Sequence, residues 1–341
     1  MQTAEPMKEH DIRPEHLLRR YLELSAQDAQ QYFATGERTS IACVACGGSA
    51  STPQFEKNGF GYAACADCGT LYQNPRPALG AFEAFYRDSA SARFWAQEFF
   101  PAVAEARRER IFRPRVERLA ALCAEHRVSV TTLIDVGAGY GIFLDEWRRR
   151  FSRTRAIAIE PSAPLARECR AKGLEVIEAL AENAQGCGAL GDAVACFEVL
   201  EHVHDPLRFV RVLAQFVRPG GCLLVSTLGV DGFDIQVLWE RSNSIFPPHH
   251  INFLSVAGFE RLFARAGLEQ VEVLTPGVLD VDIVRNALRE QPQLLAGNRF
   301  LERLIRDEAR AAAFQQFLAG NRLSSHVWVL ARRPAAAGVS P

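Results

Sequence analysis

The sequence predicts an α/β protein built on a doubly wound, largely parallel sheet. Two observations lead to this fold class. Between residues 131 and 333, short apolar runs alternate with amphipathic helices, which implies parallel strands joined by right-handed crossovers. The first of these runs passes through a glycine-rich turn into a helix, in "LIDVGAGYGIFL". Ligands of doubly wound sheets bind at this carboxyl edge of the strands.

The segment from residue 1 to 40 is predicted to be a helical lead. Leu17, Leu18, Tyr21 and Leu22 recur at helical spacing. The first residues are charged and lack the apolar stretch of a secretory signal, and no run of 18 apolar residues occurs in the chain. We therefore expect a cytoplasmic protein that does not span a membrane.

Residues 41–78 carry four cysteines with the spacing of a zinc site. Cys43 and Cys46 form one C-x-x-C pair, and Cys65 and Cys68 form a second after 18 intervening residues. Four thiolates complete a tetrahedron around Zn²⁺ and leave no open position, so the predicted zinc is structural. The metal would stabilise a ribbon that has little apolar core of its own.

Residues 79–130 are predicted to be a helical connector rich in arginine. The arginines are Arg107, Arg108, Arg110, Arg113, Arg115 and Arg118. Glutamates are interleaved with them, which favours a solvated helix face. The net charge of the chain is −1 and its pI is about 6.7, so we expect no general attraction to nucleic acid or acidic membranes.

The predicted core, residues 131–333, contains seven strands. In chain order they are "TTLIDV", "RAIAIE", "LEVIE", "DAVACFEV", "GCLLVST", "EQVEVL" and "SHVWVLARR". A helical insertion over 275–323 precedes the last strand, and 334–341 is expected to be a loose tail. Hydrophobic residues make up 48% of the chain, so a core can form without disulfide bonds.

The glycine turn and the acid after the second strand predict a nucleoside cofactor. Gly137, Gly139 and Gly141 give the spacing G-x-G-x-G; Ile142 occupies the last glycine position of a dinucleotide fingerprint. No Lys-Ser/Thr follows, which excludes a P-loop. Glu160 ends the next strand, where a carboxylate can accept hydrogen bonds from both ribose hydroxyls. The alternative is an ordinary glycine turn with a surface glutamate.

These residues resemble the class I S-adenosylmethionine-dependent methyltransferases. "GDAVACFEVLEHVHDP" resembles the family's fourth strand and the loop after it, and "VRPGGCLLVST" resembles its fifth strand. "FERLFARAGLEQVEV" is similar to the next helix and the sixth strand. The resemblance covers about 131–274 and the last strand. It implies a Rossmann-like sheet of seven strands with the last antiparallel, to which the N-terminal zinc ribbon and the helical segments are additions.

The resemblance also implies how S-adenosylmethionine would bind. Asp135 would lie near the methionine amino group, and Glu160 would bind the ribose hydroxyls. Leu180 stands where the family often has an acid for the adenine amine, so adenine would pack on Leu180 and meet backbone groups. The complete implied set is Asp135, Gly137, Ala138, Gly139, Glu160, Pro161, Leu180, Ala181 and Glu198.

The motif "PPHHINF" supplies the candidate general bases, His249 and His250. An oxygen or carbon nucleophile must lose a proton, and a histidine pKa near ~6.5 suits that step. In ribbon-bearing C-methyltransferases, which the chain resembles, a histidine in a similar setting acts as base, and His250 matches that setting better. Loop filling or helix capping is the alternative. We expect no metal here, because no carboxylate partner is evident and no third ligand accompanies His202 and His204.

The predicted function is methyl transfer to an oxygen or carbon of a small molecule, sugar-derived or a secondary metabolite. The alternative is a ribosomal-RNA methyltransferase that grips RNA through the ribbon, and a third hypothesis is a catalytically silent scaffold. Lys57 is the only basic residue between Cys43 and Cys68, which does not favour nucleic acid as a partner. The insertion is expected to cover the pocket or to form a homodimer contact.

Overall fold

The computed structural model describes residues 7–335. The first six residues of the predicted lead and residues 336–341 of the predicted tail lie outside them. The lead contains two helices, α1 (Glu9–Ile12) and α2 (Glu15–Phe33). The apolar face of α2 places Tyr21 and Leu24 against aromatic residues of the connector, so the lead packs on the protein.

Residues 38–77 form short antiparallel strands. They are β1 (Arg38–Thr39), β2 (Ser51–Lys57), β3 (Phe60–Cys65), β4 (Leu71–Gln73) and β5 (Arg76–Pro77). Strands β2, β3 and β4 pair in sequence order, and β1 pairs with β5. The free edge of β4 takes a further strand from a distant part of the chain, which is described below.

The connector is almost continuously helical. Its α-helices are α3 (Leu79–Asp88), α4 (Ala90–Phe94), α5 (Phe100–Arg107) and α6 (Arg113–Glu125). Two π-helical turns, Trp95–Phe99 and Arg108–Phe112, join α4, α5 and α6. Such turns are frequent at functional sites.

The main sheet has seven strands, six of them parallel. The strands after the connector are β6 (Thr132–Val136), β7 (Arg155–Ile159), β8 (Glu175–Ile177), β9 (Gly191–Phe197), β10 (Val217–Leu228), β11 (Asn252–Phe253), β12 (Glu269–Leu274) and β13 (His326–Arg332). The order in the main sheet is β12-β13-β10-β9-β6-β7-β8. Strand β13 runs antiparallel to both of its neighbours. The predicted fold class is confirmed.

Helices cover both faces of this sheet. They are α7 (Ile142–Arg150), α8 (Ala163–Ala171), α9 (Pro206–Phe216), α10 (Phe233–Leu238) and α11 (Val256–Arg265). Alternate residues of β6 point to opposite faces: Leu133 packs in one apolar cluster, and Ile134 and Val136 pack in the other. None of the helices in the described part of the chain is long and apolar enough to cross a bilayer.

The insertion before β13 is a small helical unit. Its helices are α12 (Asp280–Glu290), α13 (Arg299–Arg306) and α14 (Glu308–Gly320). They pack with α10 around Leu238, Val281 and Val284. Asp280 is buried and accepts hydrogen bonds from the Ser325 amide at 2.7 Å and the Ser324 hydroxyl at 2.5 Å, which anchors this unit to the start of β13.

Candidate active site

The glycine turn after β6 forms an open cradle at the carboxyl edge of the sheet. Gly139 has φ +56°, and a Cβ added there would meet no protein atom within 4 Å. A side chain at Gly139 would therefore be strained and would occupy space that a ligand can use. The amide of Gly139 donates to Glu160 Oε2 at 2.8 Å, and the amide of Ser162 donates to Oε1 at 2.9 Å. These bonds fix the carboxylate at the tip of β7.

Two buried carboxyl groups face this cradle. Asp135 is 3% exposed and its Oδ1 has no hydrogen-bond partner among the described residues. Burial raises the pKa of Asp135 to about 7, and the nearby Glu160 carboxylate adds to the shift while Arg115 opposes it. Burial also raises the pKa of Glu160. Such an unpartnered acid suits a cationic group of a ligand, such as an amine.

Glu198 lies at the end of β9 in a left-handed conformation, with φ +55°. Its Oε1 accepts hydrogen bonds from Arg115 at 2.7 Å and from the Ser226 hydroxyl at 2.6 Å, and it lies 3.0 Å from His326 Nε2. Although burial opposes ionisation, His326 and Arg115 hold the pKa of Glu198 well below its usual range. Glu198 is therefore an ionised carboxylate in the site that is already paired with Arg115.

The predicted solvated face of the arginine run is wrong for Arg107 and Arg115. Arg115 is 8% exposed because it points inward to the end of β9, where it pairs with Glu198. Arg107 lies over the rings of Trp95 and Phe100, with centroid distances of 5.2 and 5.6 Å. Burial lowers the pKa of Arg107 to about 9. The alternation of glutamates with arginines does not reveal which arginines face the sheet.

The ribbon holds the histidine loop in place. Asn252 and Phe253 form β11, which pairs antiparallel with β4 and becomes the fourth strand of the ribbon sheet. The Tyr62 hydroxyl donates to the carbonyl of His250 at 2.6 Å. Arg76, which is 2% exposed, donates to the Asn252 side chain at 2.7 Å. The segment "PPHHINF" is therefore fixed from the ribbon side.

His250 and His249 have different surroundings. His250 Nδ1 lies 2.7 Å from the carbonyl oxygen of Ser244, so Nδ1 carries the proton and Nε2 has a free lone pair. His249 Nε2 lies 3.0 Å from the Ser91 hydroxyl, and its ring is packed among aromatic rings that include Tyr21 and Phe85. Burial lowers the pKa of both imidazoles. Of the two Nε2 atoms, that of His249 is thus engaged by Ser91, whereas that of His250 keeps its lone pair.

A carboxylate lies beside these histidines, contrary to the sequence-based expectation. One carboxylate oxygen of Glu201 and one nitrogen each of His202 and His250 lie within 4.8 Å of one another. The sequence places Glu201 and His202 next to each other, but His250 follows 48 positions later. His204 is directed elsewhere, with Nε2 3.0 Å from the Pro77 carbonyl. A search for a third ligand close in sequence could not find this cluster.

A comparison with known protein families shows the family to which the chain belongs. A family profile described as a methyltransferase domain matches residues 103–273, which is half of the 341-residue chain. The chain belongs to this methyltransferase family. The matched region includes the cradle, Glu160, Glu198 and the histidine loop. The methyltransferase is thus a member of the class I S-adenosylmethionine-dependent group, as its motifs predicted.

Curated relatives of the methyltransferase include two ubiquinone biosynthesis O-methyltransferases. The protein from Xanthomonas oryzae pv. oryzae (strain PXO99A) is 31% identical over 171 residues, which cover 46% of this chain and 66% of the relative. The protein from Xylella fastidiosa (strain M23) is 34% identical over 118 residues, 33% of this chain and 47% of the relative. The match thus spans less than two thirds of either relative.

A solved methyltransferase from Archaeoglobus fulgidus is similar over 69% of this chain and 100% of its own, with 14% identity and a TM-score of 0.46.

The residues present in the methyltransferase fit its nucleoside cofactor. The open Gly139 cradle, the unpartnered Asp135 oxygen and the fixed Glu160 carboxylate lie along one edge of the sheet. Beyond β8, Leu180 is an apolar side chain that is 53% exposed, which leaves a face for a planar base. The remaining predicted positions also lie after the carboxyl ends of β6, β7 and β8; they are Gly137, Ala138, Pro161 and Ala181.

The four ribbon cysteines of the methyltransferase form a compact thiol cluster. Cys43 Sγ lies 3.6 Å from Cys68 Sγ, and Cys46 Sγ lies 3.5 Å from Cys65 Sγ. All four sulfurs lie within 4.8 Å of one another. A zinc tetrahedron with Zn–S bonds of about 2.3 Å has sulfurs roughly 3.8 Å apart. The donor set and its spacing therefore fit a structural Zn²⁺ ion.

Proposed function

We propose that the protein transfers the methyl group of S-adenosylmethionine to an oxygen or carbon of a small molecule, sugar-derived or a secondary metabolite. The observation that carries this proposal is the open Gly139 cradle with Glu160 fixed beside it. The relatives named as O-methyltransferases favour oxygen as the acceptor atom.

The residues of the site have different roles in this reaction. The cofactor supplies an electrophilic methyl group on a sulfonium, and the leaving thioether is neutral. Glu160 would hold the ribose and Asp135 would face the amino group, which fixes the direction of the methyl carbon. His250 Nε2 has the free lone pair needed to promote proton loss from the acceptor. The ring cluster around His249 limits the access of water.

The zinc ribbon has a positioning role in this proposal. A Zn²⁺ ion held by Cys43, Cys46, Cys65 and Cys68 would stabilise β3 and β4, and β4 pairs with the strand that follows His250. The metal would therefore act on the reaction through the position of the histidine loop and would not touch the reacting atoms.

Methylation of ribosomal RNA is the alternative function. The contacts of the ribbon do not favour it: Lys57, the basic residue between the two cysteine pairs, donates to the Ser242 carbonyl at 2.9 Å. Burial lowers the pKa of Lys57 to about 8. Its ammonium group is thus directed into the protein and is poorly placed to contact a phosphate.

One labelling experiment separates the candidate functions. The purified protein receives S-adenosylmethionine with a labelled methyl group, together with either a metabolite extract or ribosomal RNA. Label in the small-molecule fraction is the expected result. Label in RNA would overturn the proposal in favour of the alternative, and tight binding of S-adenosylhomocysteine with no labelled product would indicate a silent scaffold.

A further inference from the structure

A three-residue cluster lies beside the histidine loop, outside both the cofactor cradle and the zinc ribbon. We propose that Glu201, His202 and His250 bind a divalent first-row transition-metal ion, which takes the acceptor hydroxyl as a further ligand. Their candidate ligand atoms lie within 4.8 Å of one another. Around such an ion ligand atoms lie roughly 3.4 Å apart, so a small rotation of the side chains closes the site.

Backbone carbonyls already orient both imidazoles for coordination. His202 Nδ1 lies 2.9 Å from the carbonyl oxygen of His249, and His250 Nδ1 lies 2.7 Å from that of Ser244. Each Nδ1 must therefore carry the proton, which leaves Nε2 as the ligand atom. Neither Nε2 has a hydrogen-bond partner among residues 7–335. The two ring centroids lie 4.8 Å apart, with the ring planes inclined at 67° to each other.

Hydrogen bonds also hold Glu201 in position. The hydroxyl of Thr227 on β10 donates to Glu201 Oε2 at 2.7 Å, and the amide of Ile251 donates to the Glu201 backbone carbonyl at 2.9 Å. Glu201 is 1% exposed, yet no arginine or lysine in the described part of the chain pairs with it. A buried carboxylate next to two imidazole lone pairs lacks a cation, and a divalent metal would supply one.

The ligand set indicates the class of metal. Two imidazoles and one carboxylate suit Mn²⁺, Fe²⁺, Co²⁺ or Zn²⁺ better than Mg²⁺ or Ca²⁺, which prefer oxygen ligands. Three protein ligands leave an open position, as in catalytic sites, whereas the Cys43–Cys68 tetrahedron is closed. The two sites of the chain thus differ in donor atoms and in whether they leave a coordination position open.

The cation would change how the acceptor loses its proton; this inference rests on the proposed function. A bound metal lowers the pKa of a coordinated hydroxyl, so the proton leaves to solvent. The acceptor oxygen then bonds to the methyl carbon, and the carbon–sulfur bond breaks with its electron pair on sulfur. His250 Nε2 would be a metal ligand here, so His250 would promote proton loss through the metal and would not itself accept the proton.

Cobalt(II) substitution distinguishes the two metal sites. The full-length protein is prepared with Co²⁺ as the only transition metal, and the bound metal is counted. We expect two equivalents in the wild type: one with the intense thiolate charge-transfer absorption of the ribbon, and one with only the weak d–d bands of nitrogen and oxygen ligands. Glu201→Gln and His202→Gln should each weaken the second site by at least roughly 10-fold and leave the thiolate bands unchanged, because loss of a ligand should cost at least as much as loss of a ligand's hydrogen-bond partner.

His204→Gln is the matched control, because His204 lies in the same loop but its Nε2 contacts Pro77. This variant should keep both equivalents. A wild type with a single, thiolate-bound equivalent overturns the inference, as does a second equivalent that survives in Glu201→Gln and His202→Gln variants with intact circular dichroism spectra. Full methylation after removal of the second metal also overturns it and leaves the proposed function standing. A second equivalent without binding of S-adenosylhomocysteine would instead refute the proposed function alone.

Discussion

At the scale of single residues, the candidate site is a set of buried charges with different partners. Glu198 is paired with Arg115, Glu160 is held by two amides, and Asp135 has an oxygen with no partner among the described residues. Burial of an unpaired carboxylate is costly, and a cationic ligand group that pairs with Asp135 would offset this cost. The acid that the apo protein leaves without a partner thus indicates where a cationic ligand group would bind.

Glu160→Gln should weaken the binding of S-adenosylhomocysteine by roughly 10- to 100-fold, since a charged acceptor of the ribose hydroxyls is lost while the side-chain volume is kept. Isothermal titration calorimetry measures the change. Glu182→Gln, at an exposed acid beyond β8, is the control and should bind like the wild type. If the two variants bind equally well, Glu160 does not hold the ribose.

Asp135 makes the apo protein less stable as the pH rises. Its pKa is about 7 in the folded state, above its ordinary value of 3.8, so the folded state holds a proton that the unfolded state has released. The free energy of unfolding should therefore fall between pH 5 and pH 8 by about 2–3 kcal/mol relative to that of Asp135→Asn. Urea unfolding without cofactor measures this difference.

The control for this measurement is Asp192→Asn. The side chain of Asp192 accepts hydrogen bonds from Thr131 and Arg218, and although burial opposes ionisation, these bonds lower its pKa. Asp192 is therefore ionised in both states above pH 5, and its replacement should lower stability by a constant amount from pH 5 to pH 8. A wild type that parallels Asp135→Asn over this range would show that Asp135 is already ionised at pH 5.

At the scale of elements, the pairing of β4 with β11 joins the ribbon to the site. Sequence analysis predicted the strands, the glycine turn and the cysteine cluster, because each is specified by residues close together in the chain. It did not predict that Asn252 and Phe253 would pair with Leu71 and Tyr72, because no local periodicity records a partner so distant. For the same reason it missed the approach of His250 to Glu201.

Loss of the proposed zinc ion of the ribbon should release the histidine loop. In Cys46→Ser, the amides of residues 251–253 should exchange with deuterium at least about tenfold faster, because β11 loses a stable partner strand. Hydrogen exchange with mass spectrometry measures the effect, and the amides of β9 should keep their protection. Cys187→Ser, at a buried thiol outside the ribbon, is the control. Unchanged exchange in Cys46→Ser would mean that the loop is held without the metal.

At the scale of the whole molecule, charge and architecture favour a small acceptor. The net charge is −1, and the ribbon directs its lysine inward to Ser242. Helix α2 packs on the connector and the insertion packs on α10, while the carboxyl edge of the sheet carries the cofactor cradle and the histidine loop. Their packing could not be predicted from the sequence, since Arg115, which turns inward to Glu198, follows the same charge pattern as Arg108 and Arg113, which pair with Glu146.

The protein should not retain RNA at physiological salt. Because the net charge is −1, we expect few counterions to be released on contact with a phosphate backbone, and any weak binding should disappear as salt rises. Filter binding of labelled ribosomal RNA between 50 and 200 mM salt measures this, with a basic RNA-binding protein as the positive control. Saturable binding at 200 mM would contradict this reading of the surface.

The shared β4–β11 edge also has a consequence for synthesis on the ribosome. Leu71 and Tyr72 are translated about 180 residues before Asn252 and Phe253, an interval of roughly 10–40 s at common elongation rates. Throughout that interval the nascent ribbon exposes an unpaired strand edge, which is a template for aggregation. Slower translation would prolong this exposure, so the yield of native protein should depend on chaperones that shield the emerging chain.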